Sequence, residues 1–207
     1  MEKDEKSQKI KILAVGDVHG DQGLIKKLAE KAEREKVDLV ILAGDLTFLE
    51  ISTDYIIGPF IKRGKNVLLI PGNHESLATA DFMAKKYNVI NLHGNSFKKG
   101  SLGIFGAGGA MIGPHSTSEY EIYQALKKGH KGILDVKRKI MVTHMHPKGS
   151  KSEFSGFEGS KAIRKAIEMF KPDIAINAHI EEAGGIEEKI GKTRVFNVAR
   201  KERIFEI

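Results

Sequence analysis

The stretch "KIKILAVGDVHG", residues 9–20, decides the fold. Its β-rich run stops at Gly16 and reads as a buried strand. Two runs of the same kind follow, "VDLVILAG" at 37–44 and "NVLLIPG" at 66–72, each ending at Gly or Pro. Between the first two, Leu24, Leu28, Ala29 and Ala32 fall on one face of a helix. A second helix is expected over 53–63 and a third from about 75 to 87. Strand-helix-strand alternation implies parallel pairing with right-handed crossovers, an α/β chain.

After residue 88 the pattern changes. "VINLHG", "SFKKGSLGIFGAGG" and "GGIEEKIGKTRVFNVARKERIFEI" read as hairpins, with turns near Gly100 and Gly191. Among them lie a helix near 117–129, a strand "RKIMVT" at 138–143, and a helix carrying Ile163, Ala166, Ile167 and Phe170 that stops before Pro172. The glycine-rich "FGAGGAMIGP" matches neither nucleotide-loop pattern and reads as a plain loop.

At 207 residues the chain suits one domain, expected over 10–207, behind a flexible tail at 1–9. Hydrophobic content of 41% with 29% charged residues is that of a water-soluble protein. No apolar run reaches the length of a membrane span, and "MEKDEKSQK" lacks the apolar core of a signal peptide, so no membrane partner is expected. The chain has no Cys, which excludes disulfides and thiolate chemistry and leaves only N and O ligands for any metal. A cytoplasmic location fits this composition. The net charge of +7, with clusters at 127–131, 137–139 and 200–203, would attract phosphorylated or nucleic-acid ligands, although short Lys-rich runs mixed with acids also read as solvated faces.

The informative regularity is positional. The run 10–15 is followed by Asp17 and His19, 37–43 by Asp45, 66–70 by Asn73 and His74, 138–143 by His144, and "IAINA" at 174–178 by His179 and Glu181. In α/β sheets, ligands bind outside the carboxyl ends of the strands. One polar residue at such a place is ordinary; five strand ends each bringing a metal-capable side chain are not. Two carboxylates held close together need a compensating charge, which divalent cations supply. Imidazoles and an amide carbonyl complete the shells. The set suits two ions roughly 3.5–4 Å apart that lower the pKa of water and clamp an in-line displacement at phosphorus.

"GDVHG", "GD" at 44–45, "GNHE" at 72–75, "TH" at 143–144 and "AHIE" at 178–181 resemble the five ordered blocks of the calcineurin-like metallophosphoesterase superfamily. The resemblance runs from residue 10 to about 199. It implies a four-layer αββα sandwich with mixed sheets, and a metal-dependent phosphoesterase in which a hydroxide bridging two metals attacks phosphorus. It places Asp17 and His19 on the first metal, Asp45 between the two, and Asn73, His144 and His179 on the second. His74 is implied near the substrate oxygen, as general acid for the leaving group or as a phosphate donor.

The last block usually reads His-x-His, and here the second position is Glu181. Side chains two apart in an extended segment point the same way, so Glu181 shares a register with His179. Three readings stand: a carboxylate ligand in place of the imidazole, a residue holding a metal-bound water or orienting His19, or the mark of a crippled first site. On the first reading, Asp17, Asp45 and Glu181 offset all but one of the four positive charges of two divalent ions. On that reading the site prefers Mn²⁺, Mg²⁺ or Fe²⁺ to Zn²⁺, with Mn²⁺ the first expectation, and monoanionic phosphodiesters to dianionic monoesters. The expected substrate is a phosphorylated small molecule or nucleotide. On the third reading the chain is a binding or scaffold module, as one relative in the superfamily is.

Other polar residues carry less. His146, two residues past His144, either meets substrate together with Asn73 and His74 or faces solvent. Asp21 suits a helix N-cap. Glu75 either supports the site or simply starts a helix. His93, His115 and His130 read as structural.

Overall fold

The computed structural model describes residues 9–207; the tail expected at 1–9 lies, apart from Lys9, outside them. The first sheet is built from β1 (Lys11–Val15), β2 (Leu39–Ala43), β3 (Asn66–Ile70) and the two-residue β4 (Ile90–Asn91), all parallel. Each residue of β2 is buried, as in a strand covered on both faces. The crossovers are α1 (Gln22–Arg34), the short α2 (Gly58–Ile61) and α3 (Leu77–Tyr87). Asp21 caps α1 through Leu24 N–H at 2.9 Å, and Ile25, Leu28, Ala29 and Ala32 bury its inner face.

The second sheet begins with the hairpin β5 (Ser96–Lys99) and β6 (Leu102–Ala107), turning at Gly100. The chain continues through α4 (Glu119–Lys131), β7 (Arg138–Thr143), α5 (Lys161–Phe170) and β8 (Ile174–Asn177), with β6, β7 and β8 parallel. It then forms the hairpin β9 (Glu187–Ile190) and β10 (Thr193–Asn197), and ends in β11 (Arg203–Glu206). The strand orders are β11-β1-β2-β3-β4 and β5-β6-β7-β8-β10-β9.

Three apolar layers explain the stacking. Ile12, Ile41, Leu68, Ile104, Ile140 and Ile176, from both sheets, form the layer between them. The outer face of the first sheet packs under α1–α3, and that of the second under α4 and α5. The expected αββα sandwich with two mixed sheets is therefore the fold. No helix among the described residues is long and apolar enough to cross a membrane.

Three local expectations give way. The helix expected over 53–63 shrinks to Gly58–Ile61, because Pro59 has no N–H to bond to the carbonyl of Tyr55 and Tyr55 turns left-handed at φ 60°. The 88–94 segment makes no hairpin; α3 brings the chain back so that β4 lies parallel to β3. The last strand leaves its neighbours β9 and β10 and pairs antiparallel with β1 in the other sheet. That crossing ties the sheets together where Gly16 N–H donates to Val198 O at 2.9 Å. The carboxyl ends of β1, β2, β3, β7 and β8 thereby meet along one edge.

Candidate metal centre

Each of those ends delivers a side chain to that edge. The turn after β1 is held against the turn after β2: Asp17 N–H donates to Gly44 O and His19 N–H to Asp45 O, both at 2.9 Å. Asp17, His19, Asp45 and His179 all have left-handed backbone, with φ of 54°, 44°, 49° and 69°. Such conformations are uncommon outside glycine and gather at functional sites. Gly72 permits the closest approach, because a Cβ there would lie 1.9 Å from Asp45 Oδ1.

Asp45 is the centre of the arrangement. Its Oδ1 accepts the N–H groups of Asn73 and His74 at 2.8 and 2.9 Å and lies 3.4 Å from His144 Nε2. Its Oδ2 faces the other way, 3.9 Å from His19 Nε2 and 3.8 Å from His74 Nε2. Donor atoms of Asp45, His144 and His179 lie within 4.8 Å of one another, as do those of Asp17, His19 and Glu181 and those of His19, Asp45 and His74. Asp45 thus belongs to two sets. Asn73 joins the buried one, its Oδ1 being 3.1 Å from His144 Nε2.

The structure also places Glu181 beside His19, with Oε1 3.1 Å from Nε2. It stands at the start of a short 3-10 turn, Glu181–Ala183, with its side chain about half exposed. Asp17 Oδ2 accepts from His179 N–H at 3.0 Å, which links the first and last blocks.

Whether these residues fit a metal is answered at His144. Its ring is wholly buried and Nδ1 donates to Ala43 O at 2.9 Å, so Nε2 points at Asn73 Oδ1 and Asp45 Oδ1. A neutral ring in that tautomer sets three lone-pair acceptors against one another. A cation among them, a proton or a metal ion, relieves the conflict. The protein groups alone take the proton. Burial opposes charge on His144, but Asp45 and Asp17 push the imidazole up to about 10. Burial likewise pushes the Asp17 carboxyl up to about 7, with His144 opposing and Asp45 adding to the rise. Burial also works against an ionised Asp45, yet His144 and the N–H of His74 hold its carboxyl well below the usual range. Burial and the neighbouring His144 keep His179 down at about 3, with its lone pair free. The set is one that divalent ions of mixed N/O preference fit.

His74 lies against His19, with ring centroids 4.6 Å apart; its Nδ1 is buried with no partner among the described residues, and its Nε2 faces the site, 3.8 Å from Asp45 Oδ2. His146 does not face solvent: it is fully buried, with Nε2 3.2 Å from Phe157 O. His93 accepts from Gly108 N–H through Nδ1 at 3.1 Å, His130 stacks on Phe170 at 4.3 Å, and His115 lies 3.7 Å from Glu50.

Glu75 does more than begin a helix, since Ser76 is the N-cap of α3. Its buried carboxylate accepts from Gly72 N–H at 2.7 Å, from Leu46 and Thr47 N–H, and from the Thr47 hydroxyl. It clasps the turn after β2 to the turn after β3. Arg200 makes a similar tie, donating to Asp17 O at 3.2 Å, and was signalled in the sequence only by its place after "NVA".

A family model described as calcineurin-like phosphoesterase matches residues 10–181. Among curated proteins no sequence matches the chain. Among solved structures, the protein TT1561 of Thermus thermophilus aligns over 95% of this chain and 98% of its own, with a TM-score of 0.74 and 20% identity. A dimetal phosphatase from Danio rerio aligns over 91% and 86%, with a TM-score of 0.64 and 12% identity. A novel archaeal phosphodiesterase aligns over 96% and 100%, with a TM-score of 0.54 and 16% identity. At these identities the likeness is one of fold.

Proposed function

The chain belongs to the calcineurin-like phosphoesterase family, and on that footing we propose that it is a dinuclear metal-dependent hydrolase that prefers phosphodiesters. One observation carries the proposal: the two oxygens of Asp45 face separate donor sets, as a carboxylate between two ions must. Asn73, His144 and His179 would hold one ion with Asp45, and Asp17, His19 and Glu181 the other. Two divalent ions held there would acidify a water and offset the charge of a transferring phosphoryl group. With a third carboxylate at the site, Mn²⁺, Mg²⁺ or Fe²⁺ is preferred to Zn²⁺, and Mn²⁺ is the first choice.

The chain's own groups supply the rest. His74 Nε2 gives a proton to the leaving oxygen, within reach of the Asp45 side of the site. Asn73 and His74 are oriented by their N–H bonds to Asp45 Oδ1. Glu181, with Oε1 3.1 Å from His19 Nε2, would share its ion with His19, and it adds a negative charge that a dianionic monoester meets less favourably than a monoanionic diester. Its half-exposed position suits a small phosphorylated substrate or nucleotide entering from the same side. The scaffold reading has only the Glu181 substitution in its favour, and the 3.1 Å contact with His19 keeps that residue within the donor set.

The test is to strip the protein, restore Mn²⁺, Mg²⁺, Fe²⁺ or Zn²⁺ singly, count bound ions, and follow matched aryl diester and monoester substrates. Two ions per chain with faster diester turnover, lost in His74→Ala and Asp45→Asn, is the expected result. One ion or none, with no turnover under any condition, would move the reading to the binding module. A Glu181→His variant with unaltered metal preference and diester-to-monoester ratio would sink the charge argument.

A further inference from the structure

The segment 47–55 combines features that do not belong in an ordinary loop. Phe48, Leu49, Ile51 and Tyr55 are all exposed, Ile51 by 78%. Leu49, Glu50 and Tyr55 have left-handed backbone, with φ of 51°, 60° and 60°, and none is a glycine. A large side chain in that conformation is unfavourable, and so is a run of apolar groups left in water. The chain bears both costs within nine residues.

The loop is also held rigidly. Thr47 N–H is fixed on Glu75, Glu50 N–H donates to Thr47 Oγ1 at 3.2 Å, and Glu50 Oε1 accepts from Ser76 N–H at 2.7 Å. The Phe48 ring is thereby set against the centre: its centroid lies 5.6 Å from that of His74, tilted by 43°, and 6.1 Å from that of His19, nearly perpendicular. About half of Phe48 stays open to solvent. A fixed, half-open aromatic face beside the proton donor is a surface for a flat ring.

The geometry points to Phe48 as a platform that seats a planar ring on the leaving group, so the substrate class is a phosphodiester of a ring-bearing alcohol. The inference rests on the phosphodiesterase reading above and narrows it. Hydrolysis bonds the water oxygen to phosphorus, one water proton is lost to the site, and the P–O bond to the ring-bearing alcohol breaks. The departing oxygen takes its proton from His74 Nε2, the group the platform adjoins. A ring stacked on Phe48 brings its own alkoxy oxygen to that nitrogen and turns the other ester away from it. The remaining apolar residues of the loop extend the surface outward and would accept the more distant part of a larger leaving group. The rival occupant of such a surface, a protein partner, does not account for the ring being set against His74.

Benzyl methyl phosphate tests this within one molecule, because it carries two leaving alcohols of closely similar acidity on one phosphorus. The Mn²⁺-loaded protein should release benzyl alcohol over methanol by about tenfold or more, the ratio that about 1.4 kcal/mol of stacking supplies. Phe48→Ala should bring the ratio near one, Phe48→Leu should leave a small preference, and Phe48→Tyr, which keeps the flat ring, should restore it. A binding measurement is independent of turnover: benzylphosphonate, unlike methylphosphonate, should shift the ring resonances of Phe48. Equal release of both alcohols by the unaltered protein, or a ratio unmoved by Phe48→Ala, would overturn this inference alone. Release of neither alcohol under any metal condition would overturn the phosphodiesterase reading and this inference with it.

Discussion

Replacing Glu75 by Gln changes one oxygen to an amide nitrogen and almost no volume, yet the structure predicts a large effect. Every neighbour of the carboxylate is a donor: the N–H groups of Leu46, Thr47 and Gly72 and the hydroxyl of Thr47. A glutamine has a single acceptor oxygen. If that oxygen keeps Gly72 and Leu46, its NH₂ points at Thr47 N–H, donor against donor, in a buried place. The Thr47 hydroxyl can rotate to accept, but its amide cannot. One orphaned buried N–H costs about 1–3 kcal/mol, and the two bonds that survive lose their charge assistance, about 0.5–1.5 kcal/mol each. The total, about 2–6 kcal/mol, lowers Tm by about 4–24 °C for a chain of this size. Because Glu75 clasps the turns that carry Asp45 and Asn73–His74, metal content and turnover should fall together. Thr47→Val, which removes only the hydroxyl bond, should cost much less. The assays are calorimetric unfolding and metal stoichiometry after dialysis. A Glu75→Gln protein within about 2 °C of the parent, with full metal content, would refute the clasp.

Gly72→Ala places a methyl on the Asp45 carboxylate and backbone, which cannot both move aside; overpacking should cost about 1–3 kcal/mol and reduce metal content, read by the same two assays. Protons should leave as metal enters: with His144 held up at about 10 and Asp17 at about 7, affinity should rise from pH 6 to pH 8, and titration calorimetry in buffers of different ionisation enthalpy should show proton release near pH 7. Above about pH 6.5 the folded, stripped protein keeps a proton on His144 that the unfolded chain has lost. Its stability should therefore fall as pH rises over about 6.5–10, whereas over about 4–6.5 the loss at Asp17 is opposed by His179, which is held down at about 3; a flat Tm across pH 7–9 would contradict the assignment. Ser118→Ala removes the capping box of α4, in which Ser118 and Glu121 cap one another, and should cost about 1 kcal/mol in thermal unfolding with turnover unaltered.

The sequence was most legible where one local signal carries both structure and chemistry. Val15-Gly16-Asp17 and Ala43-Gly44-Asp45 each end a buried run, and a chain that alternates such runs with helices has one edge at which they all stop. The gathering of Asp17, Asp45, Asn73, His144 and His179 follows from that. Pairings set by distant partners were not legible. Nothing in Ile90-Asn91 says that it will lie parallel to β3, and nothing in Arg203–Glu206 says that it will cross to β1. His146 stands two residues from His144 on what looks like an open turn, but the 150s segment closes over it, with Phe157 O on its ring. Glu75 could not be weighed for the same reason, because its partners Leu46 and Thr47 are 29 and 28 residues away. Phe48 did leave a trace: "FLEI" at 48–51 is apolar beyond what a loop needs and belongs to no helical or strand period.

The two donor sets differ in a way that bears on how freely position 181 can change. His144 is wholly buried, Asn73 and Asp45 nearly so, and all three are fixed by backbone hydrogen bonds or a buried acceptor. A donor replaced there would leave a buried partner unmatched, at a cost the fold itself would feel. The other set opens outward: His19 is partly exposed and the Glu181 side chain about half exposed. At that rim a carboxylate can replace an imidazole without stranding any buried group, because water satisfies whichever oxygen does not face His19. A change at 181 therefore alters the charge at the exposed position while Asp45 and everything behind it stay as they are. Divergence in metal preference and substrate charge should accordingly gather at the rim, in Glu181 and the 47–55 loop. The inner set is constrained by folding as well as by chemistry, so its loss would be felt as instability before it was felt as altered specificity.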